Sequence, residues 1–185
     1  MTRSKGHARW YALAALVALA VFVAAPPSAS ASCHNKYAHP AQVSNATVKQ
    51  TTLCLLNKRR HAHGRRALKP NQRLARAARR HARDMVRRNY FSHTAPGGVD
   101  FVDRIMRQDY VNPGEGWFLG ENLAWGSYQL ATPKSIVRSW MHSPGHRANI
   151  LNPRFREIGI GVVTGSPQSG TQNAATYSTS FGTRY

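Results

Sequence analysis

The chain has 185 residues and a formal net charge of +19, from 26 lysines and arginines against seven acids. Its length excludes a pair of ordinary domains once the first 31 residues are set aside as argued below. The charge directs the surface toward polyanions, whether nucleic acid, anionic cell-wall polymers or lipid headgroups, without choosing among them.

Arg3, Lys5 and Arg9 precede an uncharged, mostly apolar run from Trp10 to Ala25, and Pro26-Pro27 then leads to Ala29-Ser30-Ala31. This pattern predicts a secretory signal peptide over residues 1–31, cleaved after Ala31. An uncleaved anchor is the alternative, but the apolar run is short for a bilayer span. Acylation of Cys33 is a second alternative, and it lacks the aliphatic residue expected three positions before such a cysteine. Removing residues 1–31 takes three basic residues and no acid, so the remainder keeps 23 against seven, a formal +16. Export argues against nucleic acid as a partner and leaves an anionic wall polymer or lipid. Cys33 and Cys54 are the only cysteines. In an exported chain such a pair predicts one disulfide, which ties the polar leader 32–46 to the first helix and contributes on the order of 3 kcal/mol.

From Thr47 the apolar positions Val48, Leu53, Leu55 and Leu56 predict a helix that Gly64 ends. Leu74, Ala75, Ala78, Ala82, Met85 and Val86 recur at helical spacing after Pro70-Asn71, and seven arginines between Arg73 and Arg88 fill much of the remainder. That is an amphipathic helix with a cationic outer face, read either as a solvated surface or as an anion-binding ridge. His61, His63 and His81 fall among these arginines and are expected at the surface or rim. Phe101, Ile105 and Met106 suggest a short helix, Pro113 to Gly116 a loop, and Leu119 to Trp125 a strand. Thr132-Pro133 opens a further helix running to about His142, with threonine as the cap and proline in the first turn. Pro144-Gly145 is expected as a tight turn that presents His146. Ile158 to Val163 and Thr176 to Phe181 read as strands joined by the Gly/Ser/Pro connection 165–170. Gly159 and Gly161 suggest another backbone packed closely on that sheet. Glu157 is expected to pair with Arg154, Arg156 or Arg147, and Trp125, Trp140 and Phe155 to pack the core. Helices flanking a small, mainly antiparallel sheet give an α+β class.

Three segments stand apart from this periodic frame: Phe91-Ser92-His93, Gly120-Glu121-Asn122, and the run Trp140-Met141-His142-Ser143-Pro144-Gly145-His146-Arg147-Ala148-Asn149-Ile150-Leu151. Together with Glu157-Ile158-Gly159-Ile160-Gly161 they resemble the CAP superfamily of cysteine-rich secretory proteins, insect venom antigens and plant pathogenesis-related proteins, in its secreted bacterial branch. The resemblance covers roughly residues 47–185 and implies a CAP domain there, built as an α-β-α sandwich. In that family two histidines and two glutamates line a central cleft, and the histidine pair can hold a divalent cation. The matching residues are His93, Glu121 and His146, with His93 and His146 as the implied metal ligands. The second glutamate of the pattern falls at Ser143, which weakens any mechanism that needs both carboxylates. Two neutral imidazoles and a carboxylate suit Zn²⁺ or a similar ion, while the plainer reading has them hydrogen-bonding to hold loops together. A serine-hydrolase reading of Ser143 and His146 lacks both the nucleophile elbow and an acid to orient the base. The resulting expectation is a non-enzymatic extracellular binding module with a cation-holding cleft and a basic surface. A metal-assisted hydrolase or peptidase, with Glu121 as base, is the alternative.

Overall fold

In the computed structural model, which describes residues 1–2 and 32–185, three layers are stacked with a four-stranded sheet at the centre. The expected signal peptide lies outside the described residues. Residues 32–185 form one compact unit. Its elements in chain order are α1 (Asn45–His61), β1 (Lys69–Pro70), α2 (Gln72–Arg88), α3 (Phe101–Met106), β2 (Trp117–Ser127), α4 (Pro133–His142), α5 (Pro144–Leu151), β3 (Glu157–Thr164) and β4 (Ala174–Arg184). A single 3₁₀ turn, Tyr128–Ala131, joins β2 to α4.

The sheet order is β1-β3-β4-β2, with β1 parallel to β3 and the other pairs antiparallel. Strand alternation explains how two layers of helix can cover it. On one face Ile158, Ile160 and Val162 of β3 and Ala175, Tyr177 and Phe181 of β4 join a buried core with Val48 and Leu56 of α1, Ile136, Val137 and Trp140 of α4, and Ile150 of α5. The other face carries small residues: Gly159 and Gly161 of β3 with Ser178, Ser180 and Gly182 of β4. Helix α2 lies directly against that face. A Cβ on Gly159 would stand 2.0 Å from the Ala75 nitrogen and the Leu74 carbonyl carbon, and one on Gly161 would stand 2.4 Å from Ala78 carbon and Arg79 nitrogen. The close backbone approach expected from these two glycines is therefore present, and α2 is what approaches.

Helix α1 starts at Asn45 rather than Thr47, because Ser44 accepts a hydrogen bond from the Thr47 amide and caps it two residues inside the expected leader. The Cys33–Cys54 disulfide ties that leader to α1. Trp140 and Phe155 are buried as expected, Trp140 donating its indole N–H to the Leu123 carbonyl, whereas Trp125 is only half-buried.

Three expectations are corrected here. Pro144-Gly145 does not form a tight turn: Ser143, in extended conformation, separates α4 from α5, and Pro144 occupies the first position of α5, where its fixed φ suits a helix start. Glu157 does not pair with Arg154, Arg156 or Arg147; it accepts hydrogen bonds from Tyr110 and Asn71, with Arg184 at 3.8 Å. Its strand parity matches Gly159, so it faces the side on which Asn71 begins α2. His81 is not a surface residue but is 1% exposed on the inner side of α2, beside Ala77, Ala78 and Ala82.

Candidate functional site

The site is assembled at the free edge of the sheet, where β2 is the outer strand. Consecutive residues of a strand point to opposite faces, so Glu121 and Asn122 engage different layers. Glu121 turns toward the α2/α3 side and Asn122 toward α5.

On the first side, Glu121 has a side chain only 2% exposed, and its two oxygens accept from the Arg104 guanidinium at 3.0 and 2.9 Å. Oε1 also accepts from His93 Nδ1 at 2.8 Å. Bonding to a carboxylate fixes the His93 tautomer with its proton on Nδ1 and leaves the Nε2 lone pair free. The His93 side chain is about half exposed at 54%, so that lone pair is reachable from solvent.

The loop carrying His93 follows α2, which ends on Asn89 in the left-handed region at φ 50°. Two buried basic side chains then hold the loop by its backbone. Arg104 donates to the His93 carbonyl at 2.8 Å and to Val99 at 3.0 Å, and His81 Nε2 donates to the Ser92 carbonyl at 2.9 Å. Burial lowers the His81 pKa below its ordinary value, so the ring is neutral and donates through Nε2. Its Nδ1 stands 3.4 Å from the Tyr90 hydroxyl, which itself donates to Asp84 at 2.6 Å.

On the second side, His146 sits in the first turn of α5, and its Nδ1 lies 2.9 Å from the Ser143 hydroxyl. With the proton on Nδ1, Ser143 accepts it and Nε2 is again bare. Asn122 donates to the His146 carbonyl at 3.0 Å, while Asn149 donates to Glu121 O and Asn122 Oδ1 at 3.1 and 2.9 Å. These bonds lock α5 to the strand that carries Glu121. The other end of α5 is held by Arg60, which is fully buried and donates to the carbonyls of Ile150, Asn152, Phe155 and Arg66 at 2.7 to 3.2 Å. The His146 pKa is lowered, first by burial and then by the positive charge that His93 carries when protonated. His93 and His146 are thus electrostatic neighbours across the strand edge. A hydroxyl at position 143 orients the ring without the charge by which a carboxylate would favour imidazolium, so His146 is neutral at neutral pH.

His93 and Glu121 are therefore in direct contact, and Ser143 and His146 form a second contacting pair. Among the described residues no group of three or more His, Cys, Asp and Glu side chains has metal-holding geometry. Sequence reasoning missed Arg104 and Arg60. Arg104 offers no local signal, but Arg60 continues the buried stripe Val48, Thr52, Leu56 at four-residue intervals.

The family described as CAP, the cysteine-rich secretory protein family, matches residues 53–179. The Bacillus subtilis protein YkwD is 38% identical over 109 residues, which cover 59% of this chain and 40% of YkwD. The Bacillus subtilis membrane protein YlbC is 33% identical over 116 residues, 63% of this chain and 32% of YlbC. The match thus spans less than half the length of either relative. Among solved structures, an extracellular SCP-domain protein of Bacillus anthracis is 27% identical with a TM-score of 0.56, covering 75% of this chain and 43% of the other. An outer surface protein of Borrelia burgdorferi shares the fold at a TM-score of 0.64 and 19% identity, covering 77% of this chain and 97% of the other.

Proposed function

This chain belongs to the CAP family of cysteine-rich secretory proteins, and from that premise we propose that it is an exported, non-enzymatic binding module whose edge cleft holds a divalent cation between His93 and His146. The observation that carries this reading is the matched state of the two rings. Each has Nδ1 engaged, by Glu121 and by Ser143, so each can offer Nε2 as a ligand. Bound there, a Zn²⁺-like ion would supply Lewis acidity and a fixed positive charge, with water completing its shell. Export is supported by the amino-terminal apolar run ending in Ala29-Ser30-Ala31, by the Cys33–Cys54 disulfide, and by the extracellular or surface character of the structural neighbours. The basic surface is the second binding element, suited to an anionic wall polymer or lipid.

The alternative, a metal-assisted hydrolase with Glu121 as base, is less well supported. Both Glu121 oxygens accept from Arg104, and the carboxylate is turned to orienting His93. A Ser143–His146 hydrolase fares no better, because no carboxylate among the described residues contacts His146. Calorimetric titration of the purified protein with Zn²⁺ tests the cleft. One ion should bind, and His93→Ala and His146→Ala should each abolish it while His61→Ala leaves it intact. Affinity should also fall as pH drops through the histidine range, since ligand imidazoles must be neutral. Unchanged Zn²⁺ binding in both cleft variants would remove the assignment.

A further inference from the structure

Two depressions flank Arg80 of α2. The first, about 330 Å³, lies between α2, the 95–99 loop and α3, and is lined by Arg80, Arg88, Arg104 and Arg107 over Ala77, Pro96 and Val99. The second, about 220 Å³, is lined by arginine alone: Arg76, Arg79, Arg80 and Arg83. Arg80 belongs to both. The ion pairs among the described residues engage Arg88, His93, Arg104 and Arg184, so Arg76, Arg79, Arg80, Arg83 and Arg107 have no carboxylate partner there. The single acid of α2, Asp84, borders the first depression and is occupied by Tyr90 and Arg88. Arg104 also lines that depression, and its guanidinium is the one that holds Glu121.

We infer that these depressions form one track for a linear phosphodiester polymer, with Arg80 at the junction and Arg104 where the track reaches the cleft. This rests on the reading of the basic surface as a binding element and names its occupant. Three observations select that occupant. Arginines three or four positions apart on α2 have Cβ atoms ~5–6 Å from one another, and from Arg76 to Arg88, the outermost lining residues on the helix, the row runs roughly 18 Å, so it matches a ligand with repeated charges rather than one compact anion. Guanidinium forks suit phosphate oxygens in pairs. Neither depression has an aromatic lining residue other than the buried His81, so there is no aromatic platform of the kind that single-stranded nucleic-acid sites use. A lipid surface fits less well, because none of the large exposed apolar side chains is on α2: Phe91 follows it in the loop that carries His93, and Tyr37, Trp117, Tyr128 and Leu130 lie on other elements.

The test is equilibrium binding of a fluorescent poly(glycerol phosphate) to the disulfide-bonded protein at several salt concentrations. Glycerol phosphate monomer, oligo-dT and phosphatidylglycerol vesicles serve as competitors. The polymer should bind far more tightly than the monomer. Arg80→Gln should weaken it about fivefold and lower the slope of log affinity against log salt by about 0.7–0.9, while Arg59→Gln on α1 changes neither beyond the loss of one distant charge. Arg76→Gln, Arg79→Gln and Arg83→Gln combined should exceed the single change. Equal effects of Arg80→Gln and Arg59→Gln would mean diffuse attraction and end the track. Equal binding of monomer and polymer would reduce it to an isolated anion site, and tighter capture of oligo-dT or vesicles would give it to a different partner. Failure of the unaltered protein to bind the polymer at all would remove the basic-surface reading as well, so the two failures are distinguishable.

Discussion

Arg104 is where the geometry makes its firmest energetic demand. Its side chain is 11% exposed and that of Glu121 2%, so the pair is held away from water and each charge depends on the other. Removing one partner of such a pair costs roughly 3–5 kcal/mol, because the survivor is left buried without its permanent counter-charge, Glu121 keeping only the His93 ring. For a domain of this size each kcal/mol shifts the thermal midpoint by about 2–4 °C, so Arg104→Gln should lower it by roughly 6–20 °C. Circular dichroism melts at pH 7.5 measure this directly. Glu121→Gln should lie in the same range, whereas Arg104→Met combined with Glu121→Leu should fall well short of the sum, since replacing both charges by apolar groups removes the desolvation cost together with the attraction. The coupling in that cycle separates a paired buried charge from a mere loss of packing. A midpoint within about 2 °C of the parent for Arg104→Gln would refute the reasoning, as would a double variant as unstable as the two single losses added.

Gly159→Ala places a methyl 2.0 Å from the backbone of α2, which no rotamer change relieves, so the helix must lift from the sheet. The expected loss is at least about 1–3 kcal/mol, seen in the same melts, while Gly145→Ala, where a Cβ would have no atom within 4 Å, should cost little. Lowering pH from 7.5 to 5.5 should destabilise the protein through His81 and His146, whose pKa values are both lowered in the folded state. The sign follows from linkage: below about 6.5 the unfolded chain takes up protons that the folded one refuses, so stability falls as pH falls, by up to ~1.4 kcal/mol per pH unit for the buried His81. His81→Gln should flatten the melting-temperature profile across that interval, and an unchanged profile would dispose of the His81 contribution.

What the sequence disclosed and what it hid follow from how residues signal burial. The strands were legible because β3 and β4 alternate large and small residues, and Gly159 and Gly161 announced a close neighbour without naming it. Helix α5 was hidden because Pro144-Gly145 satisfies both a turn and a helix start; the choice is made by α5 docking on β2 through Asn122 and Asn149. His81 could have been placed correctly, since it stands seven residues after Leu74 and four before Met85, on the buried face of its own helix. The arginines around it drew the reading outward.

His93, Glu121 and His146 interrupt the periodic pattern and so show themselves. The residues that hold them do not. Arg60 and His81 sit on regular amphipathic stripes, where a polar residue is easily taken for a break in the stripe rather than an anchor within it. Arg104 lies on a helix of only six residues, too short for any period to mark its inner side. Yet these three donors fix the main chain beside both imidazoles: His81 and Arg104 clamp the carbonyls of Ser92 and His93, and Arg60 clamps the end of α5. The approach of the two Nε2 atoms is therefore set by side chains that bond to neither of them. A substitution at Arg60 should accordingly disturb cation binding through the orientation of His146, although it touches no ligand.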